Sequence, residues 1–172
     1  MKKIIFFLTL LLLTVLLLSG CAKTIEIKAY FGAIENDDIY LKAETRTIKD
    51  NADKYKNAIN ELIKGPVSSE LYMTLPKSVD VINVLIEGDK AVVDLSKDIL
   101  TDFTDISPSS TTETLAIFSI VNTITEFEEI KSVKILIDSK ESGMIEGRAI
   151  EDFWGHIGIY EDFERNEQII LK

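Results

Sequence analysis

The hydrophobic positions of this chain change rhythm after residue 20. Residues 4–18 form one apolar block behind Lys2 and Lys3, interrupted only by Thr9 and Thr14. Beyond it, apolar residues alternate or recur at helical spacing. Residues 25–31 alternate and predict a strand. Gly32 to Asp38, with Asn36-Asp37-Asp38, predicts a polar turn, and residues 39–48, rich in β-branched side chains, a second strand. Tyr55, Ala58, Ile59, Leu62 and Ile63 then fall at helical spacing behind Asn51, a suitable N-cap. Lys64-Gly65-Pro66 is expected to stop that helix with a basic last turn, a left-handed glycine and a proline that cannot continue.

Leu75-Pro76 marks a loop before residues 81–87, where Ile82, Val84 and Ile86 share one face. Gly88-Asp89 is a two-residue hairpin signal, and residues 90–95 return as the partner strand. A polar stretch then runs into Ser110-Thr111-Thr112-Glu113, which has the form of a capping box and predicts a helix over 111–127. Its expected buried stripe is Leu115, Phe118, Val121 and Ile124. Val133, Ile135 and Ile137 define a further strand, and short strands are expected at 157–160 and 168–171. The order strand, strand, helix, strand, strand, helix, strand implies an α+β (two-layer α/β) fold, with a small mixed or antiparallel sheet covered on one face by two helices. Residues 25–172 contain no repeat or linker and are expected to form a single domain.

Composition divides the chain at the same place. The 172 residues carry 29 acidic and 19 basic side chains; without residues 1–20 the balance is 29 to 17, a net charge of −12. Such a body repels phosphate backbones and anionic headgroups, so nucleic acid is not an expected partner. One cysteine and one histidine rule out zinc fingers, disulfide scaffolds and multi-histidine metal sites. No cofactor is implied.

Lys2, Lys3 and the apolar block have the layout of an export signal, and the block is shorter than the roughly 20 residues of a membrane span. It closes on Leu18-Ser19-Gly20-Cys21, which resembles the lipobox of bacterial lipoproteins. Ser19 and Gly20 are small enough for a peptidase groove, and the Cys21 thiol is the group that accepts diacylglycerol. The implied organisation is a signal peptide over 1–20, a lipidated Cys21 with a tether over 21–24, and the domain behind it. Strand pattern four residues past Cys21 limits the reach to about 13 Å, so the domain is expected almost against the outer face of the cytoplasmic membrane.

Candidate catalytic groups are few. His156, in Phe153-Trp154-Gly155-His156-Ile157, would need Asp152 or Asp94 as an orienting partner; a structural histidine beside aromatic packing is the simpler reading. No Gly-x-Ser-x-Gly motif or glycine-rich phosphate loop is present. Asp98, Asp102 and Asp105 lack the spacing and glycine of an EF-hand loop and read as a solvated loop. Asn36-Asp37-Asp38 reads as a turn, and Asp94-Leu95-Ser96 as a strand end whose side chains cap the backbone. Tyr40, Trp154 and Tyr160 are the aromatic residues that could stack on sugar rings.

The motifs also have an order. Leu62-Ile63-Lys64-Gly65-Pro66, Leu75-Pro76, Val92-Val93-Asp94-Leu95-Ser96, Thr123-Ile124-Thr125-Glu126-Phe127 and Val133-Lys134-Ile135-Leu136-Ile137-Asp138 together resemble the sporulation and spore germination (GerMN) domain family, over roughly residues 26–160. The chain departs from the family pattern at Ser78 and Ser139, where glycine is usual, and at Gly158, where a polar residue is usual. The resemblance implies a fold akin to the ring-building modules of envelope secretion systems and a Gram-positive, often spore-forming, origin. It supplies no catalytic residues. The expected function is that of a lipid-anchored, non-enzymatic envelope protein that docks on another envelope protein in sporulation or germination. A module binding cell-wall glycan is the alternative, and a wall-acting hydrolase a weaker one.

Overall fold

A computed structural model of the protein describes residues 23–172. The export segment, the lipobox residues Leu18, Ser19 and Gly20, and Cys21 lie outside the described residues. Strands β1 (Thr24–Glu35) and β2 (Asp38–Lys49) pair antiparallel over their whole length, from Thr24 opposite Lys49 to Glu35 opposite Asp38. At about 3.3 Å per residue the ribbon is about 40 Å long. Its turn is narrower than expected: pairing continues through Gly32, and only Asn36 (φ 52°) and Asp37 (φ 69°) make the reversal. Two left-handed residues suffice for the tight turn that matches strand twist, and Asn and Asp tolerate that conformation best after glycine.

A second sheet has the order β3–β4–β5–β8, with β3 (Val81–Glu87), β4 (Lys90–Leu95), β5 (Ser132–Ile137) and β8 (Phe163–Glu164). β4 and β5 are parallel and the outer pairs antiparallel, so the sheet is mixed. The crossover between the parallel strands carries the short α2 (Asp98–Thr101) and the long α3 (Ser110–Ile124), while α1 (Lys54–Lys64) precedes β3. A small hairpin, β6 (Met144–Ile145) and β7 (Arg148–Ala149), turns through Glu146 (φ 49°) and Gly147 (φ 83°). Its Glu-Gly turn was too short a signal to separate from the surrounding loop.

Helices α1 and α3 cover the four-stranded sheet as the pattern implies, and both also pack on the β1–β2 ribbon, which forms a sheet of its own. That two-sided setting decides how α3 is buried. Ala116, Ile117, Ile120, Val121 and Ile124 are buried together with the polar Glu113, Ser119, Asn122 and Thr123. The expected stripe therefore shifts: Val121 and Ile124 belong to the core, whereas Leu115 and Phe118 are half-buried. A helix enclosed from two sides needs apolar residues around most of its girth.

Further boundaries differ from expectation. The N-cap of α3 is Ser109; its hydroxyl accepts the Thr112 N–H at 3.1 Å, and the Thr112 hydroxyl accepts the Ser109 N–H at 2.9 Å. The capping box lies one residue earlier than read and closes with Thr112, which frees Glu113 for another role. Residues 157–160 form a loop, and the segment near 168–171 contains a 3-10 turn (Glu167–Ile169) followed by a single bridge from Ile170 to Leu41. Asn51 is not the N-cap of α1, which is Asp53; its Oδ1 accepts the Asp53 N–H at 3.0 Å in the turn ahead of the helix. Gly65 stops α1 at positive φ, but at φ 82°, ψ 173° it is extended and not left-handed helical as expected, in a region open almost only to glycine.

Candidate functional site

The acidic motif at the end of β4 is a clamp on backbone turns. The Asp94 carboxylate is buried and accepts the Ser139 N–H at 2.9 Å and the Ser139 hydroxyl at 2.7 Å. Asp138 (φ 50°) and Ser139 (φ 62°) both hold left-handed conformations. Serine at the position where the family usually has glycine gains a hydroxyl bond to Asp94, which offsets that strain. Asp138 in turn accepts the Lys97 N–H, and the Ser96 hydroxyl accepts the Asp80 N–H and donates to Asp98. Asp94 and Ser96 thus do the backbone-capping work expected of a strand end, and Asp94 makes no contact with His156.

The end of α3 makes a second knot. The Thr123 hydroxyl accepts the Tyr30 N–H at 3.1 Å, and Thr125 donates to the Val121 carbonyl at 2.8 Å. The Tyr30 hydroxyl donates to Glu126 at 2.6 Å and accepts from Arg165, which also pairs with Glu126 at 2.8 Å. Burial, then the bond to Glu126, pushes the Tyr30 phenol up to about 12. Phe127 meets the Tyr55 ring edge-on at 4.8 Å. Thr123 and Glu126 therefore join the end of α3 to β1 and to the C-terminal segment, while Thr125 bonds within the helix and accepts from Arg165 at 3.4 Å.

The third cluster surrounds Glu113. This carboxylate is fully buried and accepts the backbone N–H groups of His156, Ile157 and Gly158 at 2.8, 3.0 and 2.9 Å. The loop is shaped for it by Phe153 (φ 52°), Gly155 (φ 95°) and Gly158 (φ 75°). A Cβ on Gly158 would lie 2.6 Å from the Glu151 carbonyl and collide with the Tyr160 ring, so the departure from a polar residue there is a steric necessity. Beside the loop is a recess of about 210 Å3 lined by Asp152, Gly155, His156, Ile157, Gly158 and Tyr160. The Tyr160 hydroxyl donates to Asp152, and that bond raises its phenol above its ordinary range.

Structure therefore joins His156 and Asp152 in one recess and separates both from Asp94. Of the candidate stacking residues, Tyr160 is 63% exposed, while Trp154 is buried, stacked on Phe153, with its indole N–H on the Ile99 carbonyl at 2.8 Å. Trp154 is a core residue. Tyr40 bonds Asp38 at 3.4 Å beside the ribbon turn. In the acidic loop Asp98 accepts from Ser96, Asp102 from Thr104 and Asp105 from Lys77, so these carboxylates serve separate turns. Among the described residues, no group of three or more His, Cys, Asp or Glu converges as metal ligands would.

The ribbon tip carries a feature that the sequence reading missed. Ile34 and Ile39 face each other across the strands and are 54% and 46% exposed, among Glu35, Asp37 and Asp38. Their signal was present as two β-branched residues flanking a turn, but alternation alone does not say which end of a ribbon outruns its cover. Contact with the body ends near Gly32, bridged to Tyr72, and Leu41, bridged to Ile170. Beyond them residues 34–39 stand in solvent.

The profile of the sporulation and spore germination family (Germane) matches residues 28–143. Among solved structures, the chain is similar to the tandem GerMN domains of the sporulation protein GerM from Bacillus subtilis, with 25% identity and a TM-score of 0.65. That similarity covers 89% of this chain and 51% of the other, so the chain spans about half the length of the tandem pair. It is similar to a candidate lipoprotein from Clostridium perfringens, with 25% identity and a TM-score of 0.52 over 82% of this chain and 87% of that one. The first GerMN domain of GerM shares the fold at 20% identity, with a TM-score of 0.53 over 78% of this chain and 99% of the other. A search of curated proteins finds no match.

Proposed function

Because the chain belongs to the sporulation and spore germination family, we propose that it is a lipid-anchored, non-enzymatic protein on the outer face of a Gram-positive cytoplasmic membrane, which docks on another envelope protein during sporulation or germination. The observation that carries the docking role is the ribbon tip, where Ile34 and Ile39 are left uncovered within an acidic rim. We read this apolar pair, set beyond the cover of the body, as the centre of a contact surface, and Glu35, Asp37 and Asp38 suit a partner with basic residues around an apolar patch. A single such pair is small, so specificity would draw on the surrounding charges.

Anchoring is supported by the Leu18-Ser19-Gly20-Cys21 sequence and by the likeness to a candidate lipoprotein. Two acyl chains on Cys21 suffice for stable attachment. β1 starts at Thr24, three residues later, so the base of the ribbon would be tied to the bilayer while its tip could extend about 40 Å from it. The experiment is co-purification from membranes in mild detergent with Cys21→Ala and Ile34→Asp/Ile39→Asp variants, together with acyl labelling. Cys21→Ala should lose label and membrane location, and the tip variant should keep both while losing its partner. Continued labelling of Cys21→Ala would overturn the anchor, and recovery of the wild-type chain with no partner would overturn the docking role.

A second reading is favoured by the recess beside Tyr160. An exposed ring with Asp152 and His156 next to it is the chemistry that stacks on a sugar and accepts its hydroxyls. Binding of the protein to purified peptidoglycan, lost in Tyr160→Ala, would support it; no retention by peptidoglycan would remove it.

A further inference from the structure

One buried side chain of the ribbon stands apart from the core. Leu41 is fully buried, yet it lies outside the main apolar cluster that the helices share with the two larger sheets. Its cross-strand neighbour is Gly32, which offers no side chain beside it. Residues 167–172 lie against its edge instead, with Ile170 bridged to Leu41 and the Leu171 N–H on the Leu41 carbonyl at 2.8 Å. Resting on the docking role above, we propose that this segment is a strap lying in the place of a partner's strand. Docking at the ribbon tip displaces it, and an extended apolar segment of the partner pairs with β2 in its stead.

The way the strap is held allows this. Up to Asn166 the chain is fixed firmly: Arg165 donates to the Tyr30 hydroxyl at 2.6 Å and to the Asn122 carbonyl at 2.8 Å, and pairs with Glu126 at 2.8 Å. The Asn166 N–H and carbonyl both bond the Asn122 side chain, at 2.9 and 3.0 Å. Past Asn166, among the described residues, the hydrogen bonding to the rest of the domain is the pairing with Leu41. Ile169, Ile170 and Leu171 are half-buried, and none of them packs on the main cluster. Residues 167–172 can therefore lift at Asn166 without opening the core.

Lifting the strap joins separate pieces into one surface. Leu41 lies two residues from Ile39 on the same face of the ribbon, and Ile39 faces Ile34 across the strands. The uncovered pair at the tip then continues into Leu41 as one apolar row. Backbone groups extend it. The β1–β2 register is unbroken from Thr24 opposite Lys49 to Glu35 opposite Asp38, so the backbone groups of Ile39 and Ala43 point outward as those of Leu41 do. The strap bridges Leu41 alone of these three. A strand that meets all three has the advantage over it, in the manner of strand addition at a sheet edge.

Two features state the chemistry of that strand. Ile169-Ile170-Leu171 shows what this edge accepts, a run of branched apolar residues. Glu35, Asp37 and Asp38 at the tip select a segment with basic residues beside such a run. A second copy of this acidic chain would bring like charge to that rim.

A disulfide that locks the strap provides the test. The register that bridges Ile170 to Leu41 sets Leu171 beside Lys42, within reach of a disulfide in Lys42→Cys/Leu171→Cys. The full-length chain with a photo-cross-linking amino acid at position 34 is compared in membranes as wild type, as the lock oxidised and reduced, and as a chain ending at Asn166. Thermal melts of the purified forms check that each folds. The oxidised lock should lose the adduct several-fold, reductant should restore it, and the chain ending at Asn166 should give more adduct than the wild type. Mass spectrometry should map the adduct to an apolar segment of another protein that carries basic residues. An adduct that the lock leaves unchanged would overturn the strap while the docking role stands. A disulfide that fails to form would place the segment away from β2 and overturn its seat. An adduct to a second copy of this chain would overturn the partner assigned here. No adduct from any form would overturn the docking role, and the strap with it.

Discussion

The Glu113 carboxylate accepts the backbone N–H of Gly158 at 2.9 Å across 45 residues of sequence, in the interior of the domain. With the His156 and Ile157 amides it forms a three-donor cradle that fixes the loop between β7 and β8 to the first turn of α3. Glu113→Gln puts an amide NH2 among donors that need an acceptor, and should destabilise the fold by about 3 kcal/mol, roughly 6–12 °C in melting temperature. Hydrogen exchange should rise first at the amides of residues 156–158. Unchanged exchange there would show that the cradle does not depend on charge.

The two glycines of this loop should differ. Alanine at Gly155 adds a Cβ with nothing within 4 Å and meets only the left-handed backbone penalty, about 1–2 kcal/mol. Alanine at Gly158 meets the same penalty plus the Glu151 carbonyl and the Tyr160 ring. Gly158→Ala should therefore lose clearly more stability than Gly155→Ala in denaturant titration, and equal losses would mean the loop can move aside.

Much of the fold could be read from the chain because its local signals are strong: β1 through β5, the glycine stop of α1 and the Gly88-Asp89 turn all stand near where alternation, helical spacing and turn residues put them. The errors share a cause. Ser110 and Glu113 satisfy the capping-box pattern, but Ser109 and Thr112 satisfy it better in three dimensions, and only the loop at 156–158 explains what Glu113 does instead. Likewise the stripe of α3 was read as one-sided, since nothing local reports a ribbon arriving from the other side. Of the candidate residues, Asp94 and Ser96 were understood as caps, whereas Trp154, grouped with the exposed aromatics, belongs to the core. The exposed pair Ile34 and Ile39 depends on where cover ends, a property of tertiary packing alone.

Ser139 tests how a serine can replace glycine in a turn. Ser139→Ala keeps the positive φ and loses the hydroxyl bond to buried Asp94, for an expected cost of about 1–2 kcal/mol. Ser139→Gly loses the bond but relieves the strain, and should stay within about 1 kcal/mol of the wild type. Equal costs in equilibrium unfolding would contradict the compensation.

Acid stability should show the mark of Glu129. Its hydrogen bond from the Lys54 ammonium at 2.8 Å, followed by that from the Tyr55 hydroxyl at 2.7 Å, lowers its carboxyl from 4.5 to about 2. A carboxyl depressed on folding adds stability that is complete above its unfolded value and is lost as pH falls through its folded one. The loss from this group therefore lies between about pH 4.5 and 2. Lys54→Met should flatten stability against pH in that window. Because Glu129 is half exposed, the effect is modest. An unaltered pH profile would place the acid sensitivity elsewhere.

The docking role is tested most directly by a photo-cross-linking amino acid at position 34 of the full-length chain in intact cells, with the same probe at exposed Val67 as control. The account predicts an adduct from position 34 to another exported protein, through a segment that carries basic residues, weakened by Ile39→Asp and much reduced from position 67. Adducts of equal yield from both positions, or none from position 34 in cells where the protein is membrane-bound, would contradict it.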